Sequence, residues 1–361
     1  VLVFVLTLAP RQHHFIQQSF YYQGFLMKSV LRFLSFCLLG LITLIAIAGL
    51  LFGYFIYSPE PELPKLSGTL AKASIEVGGL KRTYLTYVPQ GLAKGAPLVM
   101  VMHGSGEDGA QIRIDTGYGY ERLADQHGFA IVYPNSYSFD WNDCSKVGDF
   151  SANGREVDDV GFLSALAGKL ITEIHVNPDR VFATGVSSGG FMSIRLALEA
   201  PSRFRAIAAV SANVPSPENF KCQPAKQLAS GNSGTSVLIM NGTKDPLVPF
   251  NGGESSLLGL FYKGGNVRSS QESGQYFADL NHLTGKPVTK LSTAADGVNV
   301  EQFLWRNDTK VEVELVAIQG GGHGLPQPYF RRPRLLGPSP MAPDGTAMVW
   351  AFFERQSLLT Q

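Results

Sequence analysis

The sequence predicts an α/β fold: one mostly parallel sheet covered by helices on both faces. Three observations carry that reading. Pro97-Leu98-Val99-Met100-Val101-Met102-His103 is a continuous apolar run, as a strand buried on both faces requires. Strand-like and helix-like segments alternate from about residue 70 to about residue 355. Arg180–Thr184 feeds directly into Gly185-Val186-Ser187-Ser188-Gly189-Gly190, and Phe191–Ala200 then reads as a helix. Such a strand, sharp turn and helix strains the backbone of the apical residue. Side chains two positions either side would strike the neighbouring strand and helix, so glycines stand there. The strain pushes the Ser187 hydroxyl out at the carboxyl edge of the sheet, which makes Ser187 the predicted nucleophile.

The other elements follow from periodicity. Ala73–Val77 and Arg82–Val88 read as an antiparallel entry hairpin. Tyr120–His127 reads as a helix and Phe129–Tyr133 as the next strand. Periodicity disappears between Asn135 and Val157, which predicts a long loop. Asp158 or Asp159 then caps a helix whose apolar positions Phe162, Leu163, Leu166, Leu170, Ile171 and Ile174 recur at helical spacing. Ala206–Val210, Ser236–Met240 and Val311–Ile318 read as further buried strands, and Ser269–Leu280 and Thr346–Arg355 as helices.

Composition bounds the class. The chain has 361 residues, 45% hydrophobic and 16% charged, with a formal net charge of +1. A near-neutral chain without a basic, aromatic-interleaved patch gives no electrostatic case for nucleic acid, and none is expected as a partner. Phe33–Tyr57 contains no charged residue, and its length of about 25 positions suffices to cross a hydrocarbon core of about 30 Å. Lys28 and Arg32 precede it while Glu60 and Glu62 follow, so the amino end is expected in the cytosol and the body across the membrane. The alternative is a cleaved signal segment, because Ala46-Ile47-Ala48 has the form of a cleavage site. The expected organisation is an unstructured extension over 1–29, a transmembrane anchor or signal over 30–57, a Pro-rich linker over 58–69 and a catalytic domain over 70–357. Residues 1–26 read as an upstream extension, since Met27-Lys28 has the look of a signal start. In an exported body, Cys144 and Cys222 are the pair available for a disulfide, both in loops expected near the mouth of the site.

A serine hydroxyl needs a base. Of seven histidines, His323 stands apart. It lies in Gly320-Gly321-Gly322-His323-Gly324 directly after the last buried strand, in a turn too glycine-rich to serve packing. The imidazole needs an acid to hold its tautomer, and Asp245, just after another buried strand, stands at the same sheet edge. Asp140, Asp143 and Asp149 precede the serine within the irregular loop and are ranked below it. The oxyanion needs backbone donors: the amide of Ser188, after the nucleophile, and that of Ser105, in the glycine-flanked loop after the first buried strand. His103, at the end of that strand, is expected to orient the loop. Trp141 is a candidate substrate wall. No metal-ligand spacing is present, and the chemistry calls for no cofactor.

These pieces carry a resemblance. Met102-His103-Gly104-Ser105, Val157-Asp158-Asp159-Val160-Gly161-Phe162, Gly185-Val186-Ser187-Ser188-Gly189-Gly190, Asn241-Gly242-Thr243-Lys244-Asp245-Pro246 and Gly321-Gly322-His323 stand in an order similar to the polyhydroxybutyrate depolymerase and feruloyl esterase group of α/β-hydrolases. The resemblance implies an ester hydrolase with Ser187, Asp245 and His323 as its triad, acting on a polyester oligomer or a plant or sugar ester in the periplasm or outside the cell. One departure stands out. Where the group commonly has Gly-His-x-Trp-Pro, this chain reads His323-Gly324-Leu325-Pro326, followed by a Pro/Arg-rich loop from Pro326 to Pro343. The rival readings are an acyltransferase or serine peptidase on the same fold, and an inactive tethered binding protein.

Overall fold

The computed structural model describes residues 11–147, 156–226, 234–257, 259, 262–307 and 311–358. They fall into two compact units, divided between Tyr57 and Ser58. The first is one helix, α1 (Arg11–Phe55), whose Tyr21–Phe55 portion is long and apolar enough to cross a membrane. The stretch expected to lack structure up to residue 29 is therefore helical from Arg11. From Arg11 to Ser29 it contains no proline to interrupt the helix before the apolar segment.

The second unit opens with β1 (Thr69–Val77) and β2 (Leu80–Val88), paired antiparallel. The two residues between them, Gly78 and Gly79, both have positive φ (58° and 74°), as a tight hairpin turn that matches strand twist demands. Then come β3 (Leu98–Met102), α2 (Gly109–Asp115), α3 (Gly119–His127), β4 (Ala130–Pro134), α4 (Asp159–Glu173), β5 (Val181–Val186), α5 (Ser188–Glu199), β6 (Ala206–Val210) and β7 (Ser236–Gly242). A small hairpin, β8 (Gly253–Ser256) and β9 (Lys263–Val267), precedes α6 (Ser270–Leu280), β10 (Val288–Thr293), β11 (Asn299–Arg306), β12 (Glu312–Ile318) and α7 (Gly345–Leu358). The main sheet runs β1-β2-β4-β3-β5-β6-β7-β12-β11-β10. Its interior pairings, from β4 to β12, are parallel, and antiparallel strands close both edges.

Side-chain alternation builds a core on each face. In β3, Leu98, Met100 and Met102 join one cluster, while Val99 and Val101 join the other. The first cluster takes the apolar stripe of α4 (Phe162, Leu163, Leu166), the inner face of α5 and Phe277 of α6. The second takes Ile112 of α2, Tyr120 of α3 and Phe352 and Phe353 of α7. At the start of α4 the two aspartates divide their roles. Asp158 accepts the Gly161 amide as the cap, whereas buried Asp159 pairs with Arg82 at 2.7 Å and accepts the Asn142 amide, anchoring the long loop.

Cys144 and Cys222 form a disulfide across 78 positions. Contrary to expectation they are buried in the core rather than placed at the mouth of the site. The bridge closes the loop that carries Trp141 onto the segment after the short 3₁₀ turn Pro217–Asn219, where the Lys221 amide also donates to the Cys144 carbonyl. Closing a loop of this length restricts the unfolded chain. Cys222→Ser is expected to lower unfolding stability by about 2–4 kcal/mol, read by chemical denaturation. A change below about 0.5 kcal/mol would show the bridge to be incidental.

Candidate active site

Ser187 sits at the apex of the β5–α5 turn with φ 57° and ψ −121°, a region an L-residue adopts only under constraint. Its amide donates to the Val210 carbonyl and its carbonyl accepts from Phe191 at the first helical turn. The flanking glycines are required by contact. A Cβ at Gly185 would lie 2.4 Å from the Gly189 carbonyl carbon, and one at Gly189 2.3 Å from the Met102 carbonyl oxygen. Strand, turn and helix thus pack with no room between them, and the serine is held proud of the sheet edge.

Two other loops meet it. Asp245 follows β7; its Oδ1 accepts the amides of Leu247 and Val248, which leaves Oδ2 for His323 Nδ1 at 2.8 Å. Both side chains are almost wholly buried. The histidine loop is pinned at several points. Gly321 O accepts the Lys244 amide, the His323 amide donates to Leu336 O, the Gly322 amide to Pro338 O, and the Gly324 amide to Ser211 Oγ. The Pro/Arg-rich loop is therefore a brace for the imidazole, a role that composition alone did not suggest. Ser187 and His323 line one cavity of about 320 Å³. Among the described residues no hydrogen bond joins Ser187 Oγ to the imidazole; nucleophile–base contacts are commonly looser before substrate binds.

The loop after β3 reaches the same cavity. The Gly104 amide goes to Glu107 Oε2, the Gly106 amide to Phe139 O and the Glu107 amide to Gly104 O. Among the described residues the Ser105 amide has no hydrogen-bond acceptor, and Ser105 lines the cavity. Ser188 is the first residue of α5, so its amide has no partner within the helix. His103 does orient this loop. Its Nε2 accepts the Ser136 amide at 3.1 Å, so Nδ1 carries the proton and donates to Gly104 O at 2.7 Å. Burial pushes its pKa down to about 4, and the ring stays neutral at physiological pH.

Trp141 is not a cavity wall. It is fully buried, its indole N–H donates to His103 O, and its ring packs beside His103 at 5.1 Å. The walls come instead from Val186, Leu247, Leu257, Tyr262 and Leu336, with Glu107 and Arg332 as the charged members. Arg332 pairs with Asp115 at 2.6 Å and lies 3.6 Å from Glu107. Burial raises the Glu107 pKa to about 7 against the opposing pull of Arg332. Sequence reasoning missed both residues because each becomes informative only through its distant partner. Of the discounted acids, Asp140 and Asp143 are buried and accept hydrogen bonds from Ser105, Ser188 and Ser145, and Asp149 lies outside the described residues.

Comparison with known proteins agrees with this architecture. Residues 82–238 match the family described as Esterase PHB depolymerase. A protein of Nocardia uniformis subsp. tsuyamanensis, NocK, whose name gives it provisionally as an esterase, is 28% identical over 78% of this chain and 81% of its own length. A probable feruloyl esterase C of Aspergillus niger (strain ATCC MYA-4892 / CBS 513.88 / FGSC A1513) is 26% identical over 79% of this chain and 87% of its own length. Among solved structures, an acetyl xylan esterase from Aspergillus awamori superposes with a TM-score of 0.50 at 19% identity, covering 71% of this chain and 94% of that one. That last likeness speaks to the fold, and the fold is the α/β-hydrolase one. The chain is thus similar to the esterase PHB depolymerase family over residues 82–238 and to esterases over most of its length, and it is a carboxylic ester hydrolase.

Proposed function

We propose that the body is a serine esterase working through Ser187, His323 and Asp245 with a covalent acyl-enzyme, and that α1 tethers it with the body in the periplasm or outside the cell. The observation that carries the reading is the buried 2.8 Å contact of His323 Nδ1 with Asp245 Oδ2, at the wall of the cavity that also presents Ser187. With Nδ1–H held by the carboxylate, Nε2 is free to take the serine proton as Oγ attacks the ester carbonyl. The oxyanion is met by the amides of Ser188 and Ser105. The alcohol leaves with the proton from His323, and water then releases the acid through the same base. The predominantly apolar walls suit an uncharged ester, a polyester oligomer or a plant or sugar ester. The disulfide supports export, since such bonds persist in oxidising compartments. The charges flanking α1 support the stated orientation.

One experiment reads both parts. Spheroplasts carrying the full chain are treated with a membrane-impermeant fluorophosphonate, and the detergent-extracted protein is assayed on p-nitrophenyl, feruloyl, acetyl-sugar and hydroxybutyrate esters. The expected result is hydrolysis of at least one ester and an adduct mapped to Ser187, formed without lysis. An adduct on another residue would displace Ser187 as nucleophile, and labelling only after lysis would reverse the topology.

A further inference from the structure

We propose that Asp140 is a positioning residue that locks the two oxyanion-donor loops to each other; this rests on the serine esterase reading above. One carboxylate oxygen, Oδ1, accepts the hydroxyl of Ser188 at 2.6 Å and that of Ser105 at 3.0 Å. These are the two residues whose amides face the oxyanion in that reading. They lie on separate elements, the loop after β3 and the start of α5, and a single atom joins them. Because a carboxylate only accepts, both serines must donate to it, which fixes each hydroxyl rotor. The Trp141 amide approaches Ser188 Oγ at 3.4 Å and adds a contact from the same loop.

The arrangement is costly as mere scaffolding. Asp140 is only 3% exposed and has no salt bridge among the described residues. The nearby charge acting on it is Asp143, of like sign, and burial raises its pKa to about 6. A buried carboxylate without a cation destabilises a fold, and when ionised its field opposes a developing oxyanion. Its service is therefore geometric. Donors must meet the transition-state oxygen closely, and a misplacement of about 1 Å can cost on the order of 10²-fold. A shared acceptor removes the freedom of one donor loop to slide against the other.

The test uses the full chain with three substitutions. Asp140→Ala removes the shared acceptor, Asp140→Asn keeps a carbonyl oxygen in its place, and Ser105→Ala keeps the backbone amide but removes one tie. Turnover of Asp140→Ala should fall on the order of 10²-fold with KM within about threefold, and Ser105→Ala should lose about tenfold. Asp140→Asn should restore turnover to within about fivefold of the native protein. A trifluoromethyl ketone, which forms a tetrahedral adduct in the site, should bind more weakly in step with the loss of turnover. A general loss of packing would shift the unfolding midpoint without that parallel. Native turnover in folded Asp140→Ala overturns the proposal, and so does an Asn variant as impaired as the Ala one. Should Asp140→Ala not fold, native turnover in Ser105→Ala overturns it instead. If the unsubstituted protein hydrolyses no ester, the parent reading fails, whereas an active protein indifferent to these substitutions sinks this inference alone.

Discussion

Replacing Ser187 by alanine is expected to lower turnover by about 10⁴- to 10⁶-fold while leaving the unfolding midpoint unchanged. In the proposed mechanism the Ser187 oxygen forms the bond to the acyl group, and alanine can occupy the same strained turn because the constraint comes from Gly185 and Gly189, not from the serine side chain. His323→Ala should lose a similar factor. The informative measurement is the double variant. Residues acting as one relay show losses that do not multiply, so Ser187→Ala with His323→Ala should be no worse than either alone. What remains should be the slow hydrolysis that amides of the oxyanion loops support unaided. Multiplicative losses would mean that the two side chains serve different steps, and the relay through Asp245 would have to be abandoned.

Arg332→Ala should be the most destabilising single substitution around the cavity. Its guanidinium is 7% exposed and lies against Asp115 and Glu107, themselves largely buried. Removing one partner of a buried ion cluster strands the others, and the cost is about 3–5 kcal/mol. The pH dependence gives a second handle. The Glu107 pKa in the folded protein, about 7, stands above the ordinary 4.5. Its contribution therefore favours folding fully below about 4.5 and is lost as pH rises through about 7. Without Arg332 the largest influence opposing the burial of Glu107 is gone and only the Gly104 amide remains, so the folded pKa of Glu107 moves further up. The deficit against the native protein should be largest near pH 8 and shrink toward pH 5, by denaturant titration at both. A deficit under about 1 kcal/mol at pH 8, or one that grows on acidification, would contradict this electrostatic account. The consequence extends to chemistry, because the same loop supplies the Leu336 and Pro338 carbonyls that hold the histidine loop.

Much of this was legible along the chain. The strand β3 could be read because burial on both faces demands an unbroken apolar run, and α4 because Phe162, Leu163, Leu166 and Leu170 repeat at helical spacing. The β5–α5 turn could be read because no residue but glycine fits at 185 and 189. The edge strands β10 and β11 were not. β10 is exposed throughout, so no apolar pattern marks it, and its existence depends on pairing with β11. Helix α2 was missed because it is only seven residues long and its one large core side chain is Ile112. Trp141 was misplaced for a related reason: a tryptophan in an irregular loop looks available to a substrate until its indole is seen donating to His103 O.

From the order of residues alone came the fold class, the apolar amino-terminal segment and the identities of Ser187, Asp245 and His323 as candidates, since each is announced by local constraints: glycines that permit a close turn, or a polar residue at the end of a buried strand. Tertiary structure alone decided the partnerships: which carboxylate meets the imidazole, that Arg332 faces Glu107 and Asp115, and that Asp140 joins Ser105 to Ser188. The physical reason is range. Steric and periodic constraints act within a few residues and leave a mark in sequence, whereas a hydrogen bond between residues 35 to 217 positions apart exists only once the sheet has brought their loops to one edge.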